Sequence, residues 1–417
     1  MSALDAHLVL ERTQALIDLG RFAEAASTVR PMLASDPSNA DAACLLAQAE
    51  LMAGNDLPAF DAAALAVKLA PQRAWAHRLM AIGYARFGNN EDEIRHACEA
   101  VRLEPHDSNG YVCLAGALAR DKADLEKARA AANDGVRLAP HSVDAHMALA
   151  FVADRSGDRD TAEVALRQVL AIDPENSAAH NDLARLRLSS SRRAFDPAAL
   201  ADAAGGFATA VRTNPAGQTS RLNLDLVIRL FLQRTSYLIF CDAWICARVG
   251  AHSASSGARL LPVAVLALPI AYALRFLYRV GPNMRAHVAR ELRLDRRVSL
   301  PAALMAIASI LIIAGSASSQ SQRTALASGA ALTAFAGRLL LYQQIRVIGA
   351  RARREALQPV IGSTTLWILA AALALTAGLL VLAYTGPTGG HQSELVAAAI
   401  AAALVVAVGG AARRRRR

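Results

Sequence analysis

VDAHMALAFVADRSGDRDTAEVALRQVLAIDPEN, residues 143–176, decides the fold. Apolar residues fall three and four apart on either side of Gly157, as at Ala162, Leu166 and Val169. That spacing is the period of a helix with one buried face. Glycine tolerates the left-handed turn that ends a first helix. Proline ends or follows the second helix because it cannot continue one, and Pro174 stands where that is needed. The stretch therefore reads as a helical hairpin.

Working outward, the same punctuation recurs. Prolines stand at 37, 71, 105, 140, 174 and 215, at intervals of 34, 34, 35, 34 and 41 residues. Gly20, Gly54, Gly88 and Gly157 each precede one of these prolines by 17 residues. Ala25, Ala59, Ala128 and Ala162 share one register position, twelve residues before their prolines, where a small side chain lets paired helices approach closely. A hairpin cannot bury its apolar face alone. Stacked hairpins bury a continuous core and form a curved solenoid with a concave groove.

These residues resemble the tetratricopeptide repeat (TPR) family. The matching units are 6–39, 40–73, 74–107, 108–142, 143–176 and 177–217. Asp121 and Lys122 replace the glycine of the fourth unit. The sixth unit carries seven extra residues, placed around 189–195, ahead of a helix start at Asp196-Pro197. The resemblance covers about half the chain and implies a groove that binds a peptide or protein. Carrying the family's groove positions onto this register gives Arg78, Arg86, Asn109, Arg120, Arg155, Asn181 and Arg185. Arg86, Arg120 and Arg155 are equivalent in three consecutive units, a ladder suited to carboxylates or phosphates and so to an acidic partner. The alternative is that these arginines pair within the chain, with acids such as Asp144 and Asp154. His77, His146 and His180 also share a position. Successive units hold them ~10 Å apart, too far for one metal with ~2 Å bonds, so they read as packing residues.

After Gly217 the composition turns apolar. Runs at 260–279, 299–317, 324–342, 363–384 and 394–412 each approach the ~20 residues that cross ~30 Å of hydrocarbon. A sixth run, 234–250, carries Asp242 near its centre, which costs roughly 2.5–3.5 kcal/mol on insertion. Its alternative is an interfacial amphipathic helix over 222–249. Charge helps to decide. Residues 1–217 hold 22 Lys+Arg and 29 Asp+Glu, whereas the remainder holds 23 Arg and 6 acids, giving the net +10. With six spans, 20 of those arginines fall on one side of the membrane and Arg248, Arg259 and Arg323 on the other. That asymmetry marks the cytosolic face and puts both termini there.

The sequence thus predicts an all-α protein: a TPR-type solenoid of about six hairpins over 1–217, then a helical membrane bundle of five to six spans. A juxtamembrane segment covers 218–233, the spans 234–412, and a basic cytosolic tail 413–417. The expected role is a multi-pass, inner-membrane interaction scaffold that recruits a protein or peptide. A transporter or channel regulated by the repeats is the second reading, with Asp242 as its membrane carboxylate. The arginines of 285–297 and 413–417 point to anionic lipid, and the lack of aromatic interleaving argues against nucleic acid. Cys44, Cys98, Cys113, Cys241 and Cys246 form no zinc or disulfide framework. No catalytic motif, cofactor fingerprint or metal-ligand spacing occurs, and the N-terminus lacks the pattern of a signal peptide.

Overall fold

The computed structural model describes residues 3–252, 264–316 and 320–352. It divides into two compact units, Met1–Ala179 and His180–Arg417. Every regular element described is helical.

The first unit is five hairpins: α1 (Ala3–Asp18) with α2 (Phe22–Ser35), α3 (Ala40–Ala53) with α4 (Asp56–Leu69), α5 (Ala74–Phe87) with α6 (Asn90–Leu103), α7 (Ser108–Leu118) with α8 (Leu125–Leu138), and α9 (Val143–Ser156) with α10 (Arg159–Ile172). Gly54, Gly88 and Gly157 cap their helices at φ of 81°, 74° and 81°, the left-handed region that glycine enters without a Cβ penalty. Where Asp121 and Lys122 replace that glycine, the chain turns differently. Asp121 accepts from the Ala123 N–H at 3.0 Å, and Lys122–Asp124 forms one 3-10 turn before α8. The small-residue register is the seam of four of these hairpins, where Ala25, Ala59, Ala128 and Ala162 are all fully buried. First helices of successive hairpins touch one another, whereas second helices have no comparable mutual contact. First helices therefore line the inside of the curve.

The second unit begins within α11 (Ser177–Ala194), which pairs with α12 (Pro197–Thr213). The seven extra residues lengthen α11 to 18 residues, and Phe195 makes the turn at φ 52°. Asp196 then caps α12 through the Ala198 N–H, with Pro197 in the first turn, as the sequence indicates. A long helix, α13 (Gln218–His252), follows and runs without a break through the expected juxtamembrane segment 218–233. The remaining described helices are α14 (Ala267–Arg279), α15 (Gly281–Leu294), α16 (Arg296–Ser316) and α17 (Gln320–Ala352). One continuous core joins them: Leu200 and Phe207 of α12, Val227 and Ile228 of α13, Phe276 of α14, Ile312 of α16 and Leu341 of α17. The sixth hairpin therefore shares its core with the helices after residue 217.

Helix α17 runs antiparallel to α13. Arg229 Nε donates to Gln344 Oε1 at 3.1 Å, and Ser236 Oγ donates to the Ala334 carbonyl at 2.8 Å. It is also antiparallel to α16. Gln344 Nε2 reaches the Arg297 carbonyl at 2.8 Å, while Gly337 lies where a Cβ would stand 3.4 Å from the Pro301 carbonyl.

Among the described residues, two helical segments are long and apolar enough to cross a membrane, Arg296–Ser316 and Gln322–Ile348. They match the expected spans 299–317 and 324–342, but the count falls short of five to six. The 234–250 run belongs to α13 and holds three charged residues, Arg234, Asp242 and Arg248. The described helix within 260–279 has 13 residues, or about 20 Å of rise, short of the hydrocarbon thickness. The runs 363–384 and 394–412 and the tail 413–417 lie outside the described residues. The expected basic loop at 285–297 is largely a helix, α15. It buries Met284 and Val288 four residues apart and exposes Arg285, Arg290 and Arg293.

Candidate functional site

The inner surface of the first unit is built by α3, α5, α7 and α9. Eleven residues after each proline, one position on these helices faces out of the packing: Gln48, Ile82, Gly116 and Phe151. Ile82 and Phe151 are exposed large apolar side chains. A Cβ at Gly116, between them, would meet nothing within 4 Å. One turn earlier stand Val112 and Met147, both half-buried. The result is an apolar strip across α5, α7 and α9 with an open notch at its centre. Sequence reasoning centred on arginine missed this strip, although its register position could have been read from the proline spacing.

The arginine ladder lies at the carboxyl ends of the same helices. Arg86 and Arg155 are the next-to-last residues of α5 and α9, and Arg120 follows α7. A cation there offsets the negative end of the helix dipole. Arg86 Nε lies 3.8 Å from Asp56, in the first turn of α4. Arg120 Nε lies 2.7 Å from Glu93 of α6, and Arg155 donates to the Arg120 carbonyl at 2.9 Å. Each bond joins a first helix to the preceding hairpin. The ladder is thus partly committed to acids of the chain, Asp56 and Glu93. Both Arg86 and Arg120 keep nearly half of their side-chain surface in solvent, 45% and 46%.

Glu93 explains part of this. It occupies the position that holds Ala25, Ala59, Ala128 and Ala162 in the other hairpins, and it is buried. Burial raises its carboxyl above the ordinary range, and Arg120 opposes the rise. An acid out of register was the signal that could have found this pair.

Arg78 and Asn109 meet at Asp107, the residue that caps α7. Arg78 forms an ion pair with its Oδ2, and Asn109 Nδ2 donates to its Oδ1 at 2.9 Å. Asn181 and Arg185 belong to the second unit. Asn181 Oδ1 accepts from Asn223 of α13 at 2.9 Å, and Arg185 lies 3.5 Å from Asp182. The seven residues are therefore distributed among local pairings, five in one unit and two in the other.

The shared histidine position has a structural role at His77 and His146. Six residues after its proline, His77 Nε2 lies 3.0 Å from the Pro71 carbonyl, and His146 Nε2 lies 2.9 Å from that of Pro140. Tyr111 does the same to Pro105 at 3.3 Å. These side chains donate to the carbonyl that the turn leaves open. His77 Nδ1 also lies 3.0 Å from His96 Nδ1, inside the third hairpin. Burial, then Arg95 and His77, push His96 down to about 4. Among the described residues no group of three or more His, Cys, Asp or Glu side chains is placed to hold a metal.

In the second unit Asp242 is buried on α13, and its Oδ2 has no hydrogen-bond partner among the described residues. Of the two arginines that could accompany it, Arg338 lies over the Tyr237 ring at 4.6 Å and Arg275 is exposed.

No family model and no curated protein matches this chain. Solved structures do resemble it in part. A thermophilic TPR protein of Thermus thermophilus is 23% identical, covering 53% of this chain and 98% of its own at a TM-score of 0.32. MamA of Desulfovibrio magneticus is 20% identical, covering 41% and 96% at 0.34. PilW, a type IV pilus biogenesis factor, is 13% identical, covering 54% and 99% at 0.43.

Proposed function

We propose that the chain is a membrane-anchored interaction scaffold whose repeat array receives a peptide or protein segment on its inner surface. The observation that carries this is the exposed strip of Ile82, Gly116 and Phe151 on three consecutive first helices. Apolar side chains on an inner face, with an open notch between them, fit an apolar anchor residue of a partner. The arginines at the strip's edge retain enough exposure to receive an acidic flank of the same segment.

Support for anchoring comes from the second unit. The face of α16 that leaves the bundle carries Leu300, Ile307, Ile310 and Ile313, and Trp244 of α13, Leu268, Ile270 and Leu274 of α14 and Phe335 of α17 are also exposed. Water penalises such a surface, whereas lipid does not. In this reading the cell membrane holds the bundle, the repeats and C-terminus are cytosolic, and α15 lays its arginine face on anionic headgroups.

The test is a photocrosslinking residue at Gly116 in the full chain, in native membranes. A discrete crosslinked partner is expected, lost when Ile82 and Phe151 are both replaced by Ser. Equal crosslinking from Lys68, on the second helix α4, would sink the groove. If Arg86, Arg120 and Arg155 replaced together by Ala leave the crosslink unchanged, the acidic preference is wrong.

A transporter is the second reading, favoured by the buried Asp242 alone. It requires Asp242→Asn to abolish proton flux in proteoliposomes while the chain still inserts. Unchanged flux removes it.

A further inference from the structure

Helices α13, α16 and α17 enclose a cavity of about 400 Å³ beside the amino-terminal end of α16. That volume lies within the ~300–1,000 Å³ of small-ligand sites. Its lining has two characters. Leu222, Leu300, Pro301, Leu340, Val347 and Ile348 form an apolar wall. Arg229, Arg296 and Arg297 stand with Asp225, Gln343 and Gln344 as its polar part.

The three arginines differ in commitment. Arg229 is buried and held from several directions. It bonds to Gln344 at 3.1 Å and to Asp295 at 3.2 Å, and it lies 3.6 Å from Asp225. Its charge is answered by those two carboxylates. Arg296 and Arg297 are exposed, and among the described residues no carboxylate pairs with either guanidinium. They are the first two residues of α16, so they add to the positive end of that helix. The cavity therefore combines an excess of positive charge, forked donors suited to a phosphate, and an apolar wall that continues down α16.

We propose that this cavity binds one anionic phospholipid. The phosphate meets Arg296 and Arg297, and the upper acyl chain lies against Leu300, Pro301 and Leu340. The inference rests on the membrane reading above, because α16 and α17 must cross a bilayer for the cavity to open at its headgroup level. Arg229, already satisfied by two acids, holds α13 to α17 and shapes the wall.

The test uses the full chain in detergent micelles, with native mass spectrometry scoring phosphatidylglycerol against phosphatidylcholine. A retained phosphatidylglycerol adduct is expected for the wild type. Arg296→Gln with Arg297→Gln should weaken it roughly ten-fold or more, since each juxtamembrane arginine contributes about 1 kcal/mol near an anionic surface. Leu300→Trp fills the cavity mouth without removing charge and should weaken the adduct similarly. If the glutamine pair loses the adduct and Leu300→Trp keeps it, charge acts on the open surface and the cavity proposal falls. Displacement of lipid by millimolar glycerol phosphate would replace it with a soluble phosphate ligand. Carbonate extraction of native membranes separates the two levels. Release of the wild type overturns the membrane reading, whereas a membrane-integrated chain with no anionic preference overturns the lipid site alone.

Discussion

At the scale of single residues, the departures from the repeat pattern carry the most information. Glu93 stands in a register otherwise reserved for alanine, and Arg120 crosses from the next hairpin to meet it. Arg120→Met strips a buried carboxylate of its partner and should destabilise a fragment of the first unit, residues 1–179, by about 1–3 kcal/mol. Adding Glu93→Ala restores the register residue and should recover most of that loss. Urea unfolding of the wild type, both single variants and the double measures the coupling. His96 gives a pH signature. The folded array holds it neutral down to about 4, against an ordinary value of 6.5. Between those values the unfolded chain binds the extra proton, so stability is full above 6.5, falls as pH drops through the window, and levels off below about 4. The charged and titratable groups around it are Arg95, His77, Asp92 and Glu99. Thermal melting of the same fragment should show this slope, and His96→Leu should flatten it. An unchanged slope would assign the effect to other groups.

At the scale of elements, turn chemistry made the hairpins readable. Glycine, proline and alanine recur because the left-handed cap, the helix stop and the close seam each admit few residue types. The fourth turn and the sixth hairpin were legible as departures, but their form was not. A 3-10 turn and a lengthened α11 are two of several ways to absorb extra residues, and only packing selects among them. The second half was less legible. Hydropathy finds α16 and α17, yet it cannot separate a span from a core helix such as α13, which buries Arg229, Arg234 and Asp242 in one bundle. The candidate site was legible only in part. Arginine positions followed from the register, while their intramolecular partners depended on which hairpin faces which. Close approach of α11 and α12 yields a sharp expectation. A Cβ at Gly206 would stand 2.8 Å from the Ala184 Cβ. Gly206→Val should therefore force the helices apart and cost about 1–3 kcal/mol. A loss of apparent melting temperature of several degrees in micelles checks it, and an unshifted melt would show that the pair relaxes freely.

At the scale of the whole molecule, the chain pairs a first unit that is rich in acids with a second rich in arginine. A reporter enzyme active only in the cytosol, fused to the N-terminus, should be active if the repeats are cytosolic. An export-dependent reporter that is active there instead would overturn both the placement of the repeats and the proposed inner-leaflet lipid. The side-chain links between hairpins carry one further consequence. Arg30 of α2 meets Glu50 of α3 in the first joint, and Arg73 meets Asp41 in the second. Arg78 meets Asp107 in the third, and Arg129 meets Asp158 in the fourth. No two joints use the same pair of register positions. Alanine-rich hairpins of nearly equal length would otherwise stack interchangeably, within one chain or between two. Each joint carries its own pairing, so the order of the hairpins is marked in the charges, and an array that put another hairpin against α3 would strand the fully buried Glu50 carboxylate.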